Sequence, residues 1–290
     1  MASTDASTTA PKALYPDLKG KIAIVTGIGQ VGDHAMWGNG AAFALTLARN
    51  GCHVFGCDLK LSAATHTQSR IHADADVISI GGCCDVFEID ATKSDQVARF
   101  VDEVVKQVGR IDVLINNVGM SMPGSASSMP ENVWDAQMDV NLKSVYLMCH
   151  AVLPHMESAG SGSIINMASI AAKAYIGKAQ IAYNATKAAV IQFSKATAVH
   201  YAPKGLRMNV IVPGLIHTPL VGVLAEKYNN GDYEGLVEKR GNAVPMGRMG
   251  DAFDVANAGA FLASEVSRYV TGIELLVDGG ITSTTGWSSG

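Results

Sequence analysis

The sequence predicts an α/β protein built on a doubly wound parallel sheet of about seven strands, folded as a single domain. Short β-branched, apolar runs such as KIAIVT and HVFGC alternate with helical patterns along almost the whole chain. The runs are apolar at successive positions, as strands covered by helices on both faces must be. Gly27 directly follows the first run, where a buried strand has to turn toward a helix. At 290 residues the chain suits one large domain better than two small ones.

Residues 1–17 are rich in Ser, Thr and Ala, with Pro11 and Pro16, and are expected to be a flexible tail. The first strand starts at Lys21, and the helical pattern that follows it begins only after Gly40 and is closed by Gly51. The second strand ends at Asp58, a polar-faced helix covers 61–75, and CCDVFEID is the third strand. Val97, Phe100, Val101, Val104, Val105 and Val108 recur at helical spacing between Lys93 and Gly109. Then come a fourth strand, IDVLINNVG, a long helix from Glu131 to Met156, and a fifth strand, GSIINMAS. Another helix runs to about Ala202, and the sixth strand, LRMNVIVPG, stops at Pro213-Gly214. The stretch 219–247 mixes apolar, glycine and charged residues and is expected to be a substrate lid of short helices. Asp251 caps one more helix before the last strand, ELLVDGG, so residues 18–290 form the single domain.

The bulk properties exclude several classes of partner. Lys+Arg 22 against Asp+Glu 26 gives a formal charge of -4, with no basic cluster to match nucleic acid. No run of about 18 apolar residues is present, and the N-terminus lacks a charged segment followed by an apolar core, so no membrane partner is expected. Five cysteines form an odd set without a Cys-x-x-Cys pair, which suits a reducing, cytoplasmic location and no bound metal.

The loop after the first strand offers two glycine patterns. Gly27, Gly29 and Gly32 spell a dinucleotide fingerprint, Gly-x-Gly-x-x-Gly. Phosphate binding needs glycines where a helix begins, because free N–H groups and the helix dipole favour an anion there. Gly38 and Gly40 therefore fit better than Gly29 and Gly32. Asp58, about thirty residues after Gly27, suits a carboxylate that accepts from an adenosine ribose 2′-OH and repels a 2′-phosphate, which favours NAD over NADP.

Tyr183 and Lys187 stand four residues apart in a helix-favouring run and so share one helix face. An ammonium near a phenol favours the phenolate and would pull the phenol toward neutrality, making Tyr183 a general acid/base.

Taken together, the motifs resemble the short-chain dehydrogenase/reductase family from about Leu18 to Gly280. They are the Thr26-Gly27 turn, Asn116-Asn117-Val118-Gly119, Asn141, Ser169, the Tyr183/Lys187 pair, and Pro213-Gly214 followed by Ile216 and Thr218. The family glycine motif is matched when Gly38-Asn39-Gly40 supplies its end, leaving about seven extra residues after Gly27. The resemblance implies a Rossmann-like fold and four catalytic residues. Tyr183 exchanges the proton, Lys187 lowers its pKa and binds the nicotinamide ribose, Ser169 holds the substrate oxygen, and Asn141 holds a water leading to Lys187. It also implies an NAD site formed by Gly27, Gly38, Asn39, Gly40, Asp58 with Leu59, Asp90 with Ala91, Asn117, Val118, Gly119, Tyr183, Lys187, Pro213, Gly214, Ile216 and Thr218. The extra loop carries Asp33, His34 and Trp37, and Trp37 is expected to shield bound cofactor.

The implied reaction interconverts a secondary alcohol and a ketone by hydride transfer to or from NAD. Met120, Met122, Ile170, Tyr175, Ile176 and Val221 suggest an apolar wall, so a lipophilic or cyclic substrate is expected, with Lys173, Gln180 and His217 as polar anchors. Enoyl reductases separate their Tyr and Lys by six residues, and no such pair is present here. An alternative is a cofactor-sensing regulator of the same fold without turnover. Family members are commonly tetramers, so a homo-oligomer is expected.

Overall fold

The structure is a computed structural model that describes residues 12–30 and 36–285. Its centre is a parallel sheet of β1 (Ile22–Thr26), β2 (His53–Asp58), β3 (Cys83–Glu88), β4 (Val113–Asn116), β5 (Gly162–Met167), β6 (Leu206–Pro213) and β9 (Glu274–Val277). The strand order is β3-β2-β1-β4-β5-β6-β9. The chain starts in the middle, at β1, and winds outward first one way and then the other. The reversal opens a crevice between β1 and β4 at the carboxyl ends of the strands. A second, two-stranded sheet pairs β7 (Ile216–His217) with β8 (Gly250–Asp251) beside that crevice.

The helices are α1 (Asn39–Arg49), α2 (Leu61–His72), α3 (Ala75–Ile80), α4 (Ser94–Val108), α5 (Glu131–Met138), α6 (Ser144–Ala159), α7 (Ile181–Tyr201), α8 (Pro219–Tyr228), α9 (Tyr233–Asn242) and α10 (Ala252–Ala263). They bury one apolar core on each sheet face. Phe43, Leu45 and Leu47 of α1 meet Phe253, Val255 and Ala260 of α10 on one face. Phe100 and Val104 of α4, Met148 and Val152 of α6, and Val190 of α7 fill the other. The α1–α10 contact is close because residue 259 is glycine: a Cβ there would stand 2.3 Å from the Phe43 ring.

Four details depart from the sequence reading. Asp74 caps an additional short helix, α3, accepting from Asp76 N and Val77 N. β4 ends at Asn116, so Asn117 to Gly119 already form the loop at its end. The long helix is interrupted by a π-helical turn, Asp139–Lys143, between α5 and α6. Residues 12–17 are held on the body rather than trailing: Tyr15 N donates to Asn50 at 2.6 Å, and Asp17 accepts from Ser264 and from Glu265 N. The remainder of the expected tail, 1–11, lies outside the described residues. Among the described residues no helix is long and apolar enough to cross a membrane.

Candidate active site

Ser169 leaves β5 in extended conformation and caps a short 3-10 turn, Ile170–Ala172, by accepting from Ala171 N at 3.2 Å. Asn184 of α7 donates to Ala171 O at 2.6 Å, which fixes that turn against the helix bearing Tyr183. Lys173 and Lys195 grip Glu274 at 2.7 and 2.5 Å, tying the same turn to α7 and the edge strand β9. Ser169 is thereby brought into hydrogen-bond contact with the Tyr183 hydroxyl.

Lys187 lies one turn along α7, is 3% exposed, and donates to Met167 O at 2.8 Å. Its ammonium stands 5.8 Å from the centre of the Tyr183 ring. Burial lowers the Lys187 pKa to about 8, because a charged ammonium loses hydration. Burial raises the Tyr183 pKa, and the hydrogen bond from Ser169 opposes that rise. In the ligand-free protein this departs from the expectation: burial sets the direction of the Tyr183 shift, and the group that opposes it is Ser169 rather than Lys187.

Asn141 sits in the π-turn and is fully buried. Its side-chain oxygen accepts from Met120 N at 2.7 Å, and its amide donates to Met120 O at 2.9 Å and to the Thr186 hydroxyl at 3.1 Å. These three bonds fix the Asn141 side chain between the loop after β4 and α7. Gly119 closes the group: a Cβ there would stand 3.2 Å from Lys187 Nζ and 3.3 Å from Asn141 Oδ1.

The expected cofactor residues line the same crevice. Gly27 has φ +69°, and its amide donates to Cys57 O at 2.7 Å, turning the chain off β1. A Cβ on Gly40 would stand 2.0 Å from Gly27 O, so glycine is what lets the start of α1 approach this turn. Gly38 caps α1, and Asn39 follows with its side-chain oxygen buried and without a protein partner among the described residues. A buried orphan acceptor at a helix N-terminus fits a ligand donor such as a ribose hydroxyl. Asp58 accepts from Gly29 N at 2.9 Å and Lys60 N at 3.1 Å at the end of β2, with exposed Leu59 beside it.

Thr92 binds Asp90 through its hydroxyl at 2.7 Å and its amide at 2.9 Å. These bonds hold the Asp90 pKa low against the opposing effect of burial. Ala91 is buried next to it. The Asn117 side chain turns back to Thr26 O and Gly27 O, and Val118 N donates to the Thr26 hydroxyl at 3.2 Å. Asn117 thus fastens β4 to the glycine turn. Pro213 ends β6, Gly214 N donates to Val277 O, Ile216 enters β7, and buried Thr218 caps α8.

Trp37 is a correction. It is 4% exposed, packs edge-on against Phe253 at 5.9 Å, and lies under the Arg70 guanidinium at 3.6 Å. It belongs to the core beneath α10 and does not cover the crevice. Asp33 and His34 lie outside the described residues. Gln30, which sequence reasoning passed over, clasps the extra loop at its base: its amide donates to Met36 O at 3.0 Å and its oxygen accepts from Gly38 N at 2.7 Å.

The substrate side changes as well. Lys173 is taken by Glu274, Gln180 by Ser121 at 3.0 Å, and His217 by Tyr233 at 2.6 Å. Ile170 and Val221 are buried, Ile170 in a small core with Ile191, Val210 and Val212, whereas Tyr175 and Ile176 are exposed. Two half-buried cations that the sequence reading did not single out are Lys178, in the bend before α7, and Arg240, on α9. The spacing of Arg240 seven residues after Tyr233, on one helix face, was the available signal.

Known proteins agree with this architecture. A family profile described as enoyl-(acyl carrier protein) reductase matches residues 35–282. Oxidoreductase UcpA of Escherichia coli K12 is 34% identical over 266 residues, covering 91% of this chain and 95% of its own. The 2-(R)-hydroxypropyl-CoM dehydrogenase of Xanthobacter autotrophicus is 35% identical over 270 residues, covering 91% of this chain and 99% of its own. A Burkholderia xenovorans crystal structure ascribed to the short-chain dehydrogenases/reductases superposes with a TM-score of 0.84 at 42% identity, covering 92% of this chain and 98% of that one. The likeness runs through nearly the whole chain, which belongs to the short-chain dehydrogenase/reductase family of oxidoreductases.

Proposed function

We propose that the protein interconverts a secondary alcohol and a ketone with NAD, using Tyr183 as general acid and base. The observation that carries this reading is that Ser169 meets the Tyr183 hydroxyl, Lys187 lies beside the Tyr183 ring, and Lys187 and Asn141 both border Gly119. The bound nicotinamide would supply or accept the hydride. Gly27, Gly38, Asn39 and Gly40 would hold its diphosphate end, and Asp58 the adenosine ribose, where a 2′-phosphate would meet a carboxylate. Lys187 would bind the nicotinamide ribose.

The protein's own steps concern one oxygen. In reduction the Tyr183 hydroxyl passes its proton to the carbonyl oxygen as hydride reaches the carbon, while Ser169 hydrogen-bonds the developing oxyanion. In oxidation the Tyr183 phenolate takes the alcohol proton. Lys187 stabilises that phenolate to the extent that ligand binding dries the cleft and strengthens their attraction. Segment 219–247 would cover a mainly apolar substrate body, with Met120, Met122 and Ile176 beside it.

A homo-oligomer, a tetramer as the family resemblance implies, would form through the helices between 131 and 201. Trp134, Tyr146 and Val199 are exposed there and support that reading. The cysteine set supports a reducing, cytoplasmic setting. The test follows nicotinamide absorbance with NAD, and separately NADP, over cyclic, aromatic and aliphatic secondary alcohols. NAD-dependent turnover that disappears in Tyr183→Phe is expected; preferred use of NADP removes the Asp58 argument, and no turnover on any alcohol removes the reading.

A further inference from the structure

Tyr233 is the first residue of α9, delivered by a turn in which Asn230 and Gly231 are both left-handed, at φ +51° and +78°. Asp232 caps the helix by accepting from Gly235 N at 2.9 Å. Beyond its far end, Val244 packs so closely on the turn after β9 that a Cβ on Gly279 would stand 2.4 Å from it. Tyr233, Leu236, Val237 and Arg240 are half-buried, whereas Glu234, Glu238 and Lys239 are exposed. Spacings of three, four and seven put the first four on one helix face. The helix therefore turns a defined face inward, with the Tyr233 ring at its leading end.

The Tyr233 hydroxyl meets two segments that are far apart in the chain. It hydrogen-bonds His217 Nε2 at 2.6 Å, with the two ring centres 5.9 Å apart, and it donates to Met36 Sδ at 3.8 Å. His217 is opposite Asp251 in the β7–β8 ladder and stands between Ile216 and Thr218. Met36 lies at the returning end of the extra loop. Its carbonyl accepts from Gln30 at 3.0 Å and from Arg70 at 2.9 Å, and buried Trp37 and then Gly38 lead from it into α1. One hydroxyl thus joins the lid helix to both ends of the expected cofactor cradle.

A thioether is a weak acceptor and a tyrosine–histidine bond is an ordinary one, so each contact alone would hold a lid loosely. Their combined effect comes from the supports behind them. β7 is held by its ladder and Met36 by two bonds to its carbonyl, so both partners are already in place when the helix docks.

We propose that Tyr233 is a positioning residue for the cofactor: through its hydroxyl, β7 and the extra loop together latch the lid helix, which must swing out before the cofactor leaves. The proposal rests on the nicotinamide cradle described above and does not depend on which alcohol is used. The extra loop thereby acquires a role, since it supplies Met36 as the catch on the diphosphate side.

The experiment follows release of fluorescent reduced cofactor, NADH or NADPH, whichever binds the wild type more tightly, by stopped-flow mixing with an excess of its oxidised form. Tyr233→Phe should release it about three- to tenfold faster, the weight of one hydrogen bond. Met36→Leu keeps the volume and removes the sulfur, and should speed release by about twofold. The double variant should be no faster than Tyr233→Phe, because both changes act through one hydroxyl. Lys239→Ala, on the exposed side of the same helix, should leave release unchanged. A second arm needs no cofactor: in hydrogen exchange of the ligand-free protein, amides of 233–242 should exchange faster in Tyr233→Phe while those of β5 and β6 do not change. Release from Tyr233→Phe at the wild-type rate overturns the latch, even where exchange is faster, because the contact is then structural only. Effects that add in the double variant overturn the shared hydroxyl. A wild type that binds neither reduced cofactor counts against the cradle, and the exchange arm then decides the latch: unchanged exchange overturns it.

Discussion

The two ends of the cleft are made of different material. At the cofactor end, recognition rests on backbone brought close to backbone: Gly40 against Gly27, Asn117 bound to both residues of the turn, and Asp58 fixed by two amides. At the substrate end, side chain meets side chain: His217 of the short strand β7 bonds Tyr233 of the short helix α9. A site built of backbone tolerates few substitutions and serves one ligand, whereas a site built of side chains can be rewritten without moving the sheet. The catalytic group lies between the two and is anchored to the rigid part, through Met167 O, Gly119 and the Met120 backbone.

Substitutions can break this contrast in order of expected size. Tyr183→Phe removes only a hydroxyl, yet should lower kcat by about 10²–10⁴-fold while NAD affinity, followed by fluorescence titration, changes by less than about threefold. Gly40→Ala comes next. Its methyl has no room beside Gly27 O, so the start of α1 must shift, with an expected loss of about 2–4 kcal/mol by denaturant titration and a large loss of NAD affinity. A variant that binds NAD normally would show that the cofactor end is more compliant than the distances imply.

Trp37→Ala separates core from cleft. Removing a ring packed on Phe253 and under Arg70 should destabilise the fold by about 3 kcal/mol. NAD affinity measured well below the melting temperature should stay near that of the wild type; a selective loss of affinity would restore the shielding role.

The smallest effect sharpens the electrostatics. Burial lowers the Lys187 pKa from 10.5 to about 8, so the folded protein binds fewer protons than the unfolded chain between those values. The resulting penalty is complete below about pH 8 and fades as pH rises toward 10.5. Lys187→Met should therefore stabilise the ligand-free protein by about 1–2 kcal/mol at pH 7, and thermal melts should show the gain shrinking by pH 10. A gain independent of pH would mean that packing, not charge, accounts for it.

Much of this was legible in the sequence because its physics is local. Strands covered on both sides must be apolar throughout, and Tyr183 and Lys187 announce a shared face by spacing alone. The register Gly38-Asn39-Gly40 followed from where the helix begins. What stayed hidden depends on contacts between distant segments. Trp37 reads as a loop aromatic until Phe253 and Arg70 arrive from α10 and α2. Lys173 reads as a substrate anchor until Glu274 claims it from a strand 101 residues away. Asn141 shows its poor helix propensity in the sequence but not the π-turn that it occupies. Arg240 is one charge among several until the helix face turned toward His217 is known.

The central claim is that a carbinol hydride leaves the substrate beside Tyr183 and arrives on NAD. The most direct measurement incubates the wild type and Tyr183→Phe with NAD and secondary alcohols deuterated at the carbinol carbon, then examines the recovered nicotinamide by NMR. The account predicts deuterium at C4 with the wild type and almost none with Tyr183→Phe. Reduced nicotinamide without deuterium, equal labelling by the variant, or no reduction with any alcohol despite normal NAD binding would contradict it, the last pointing to the regulator without turnover.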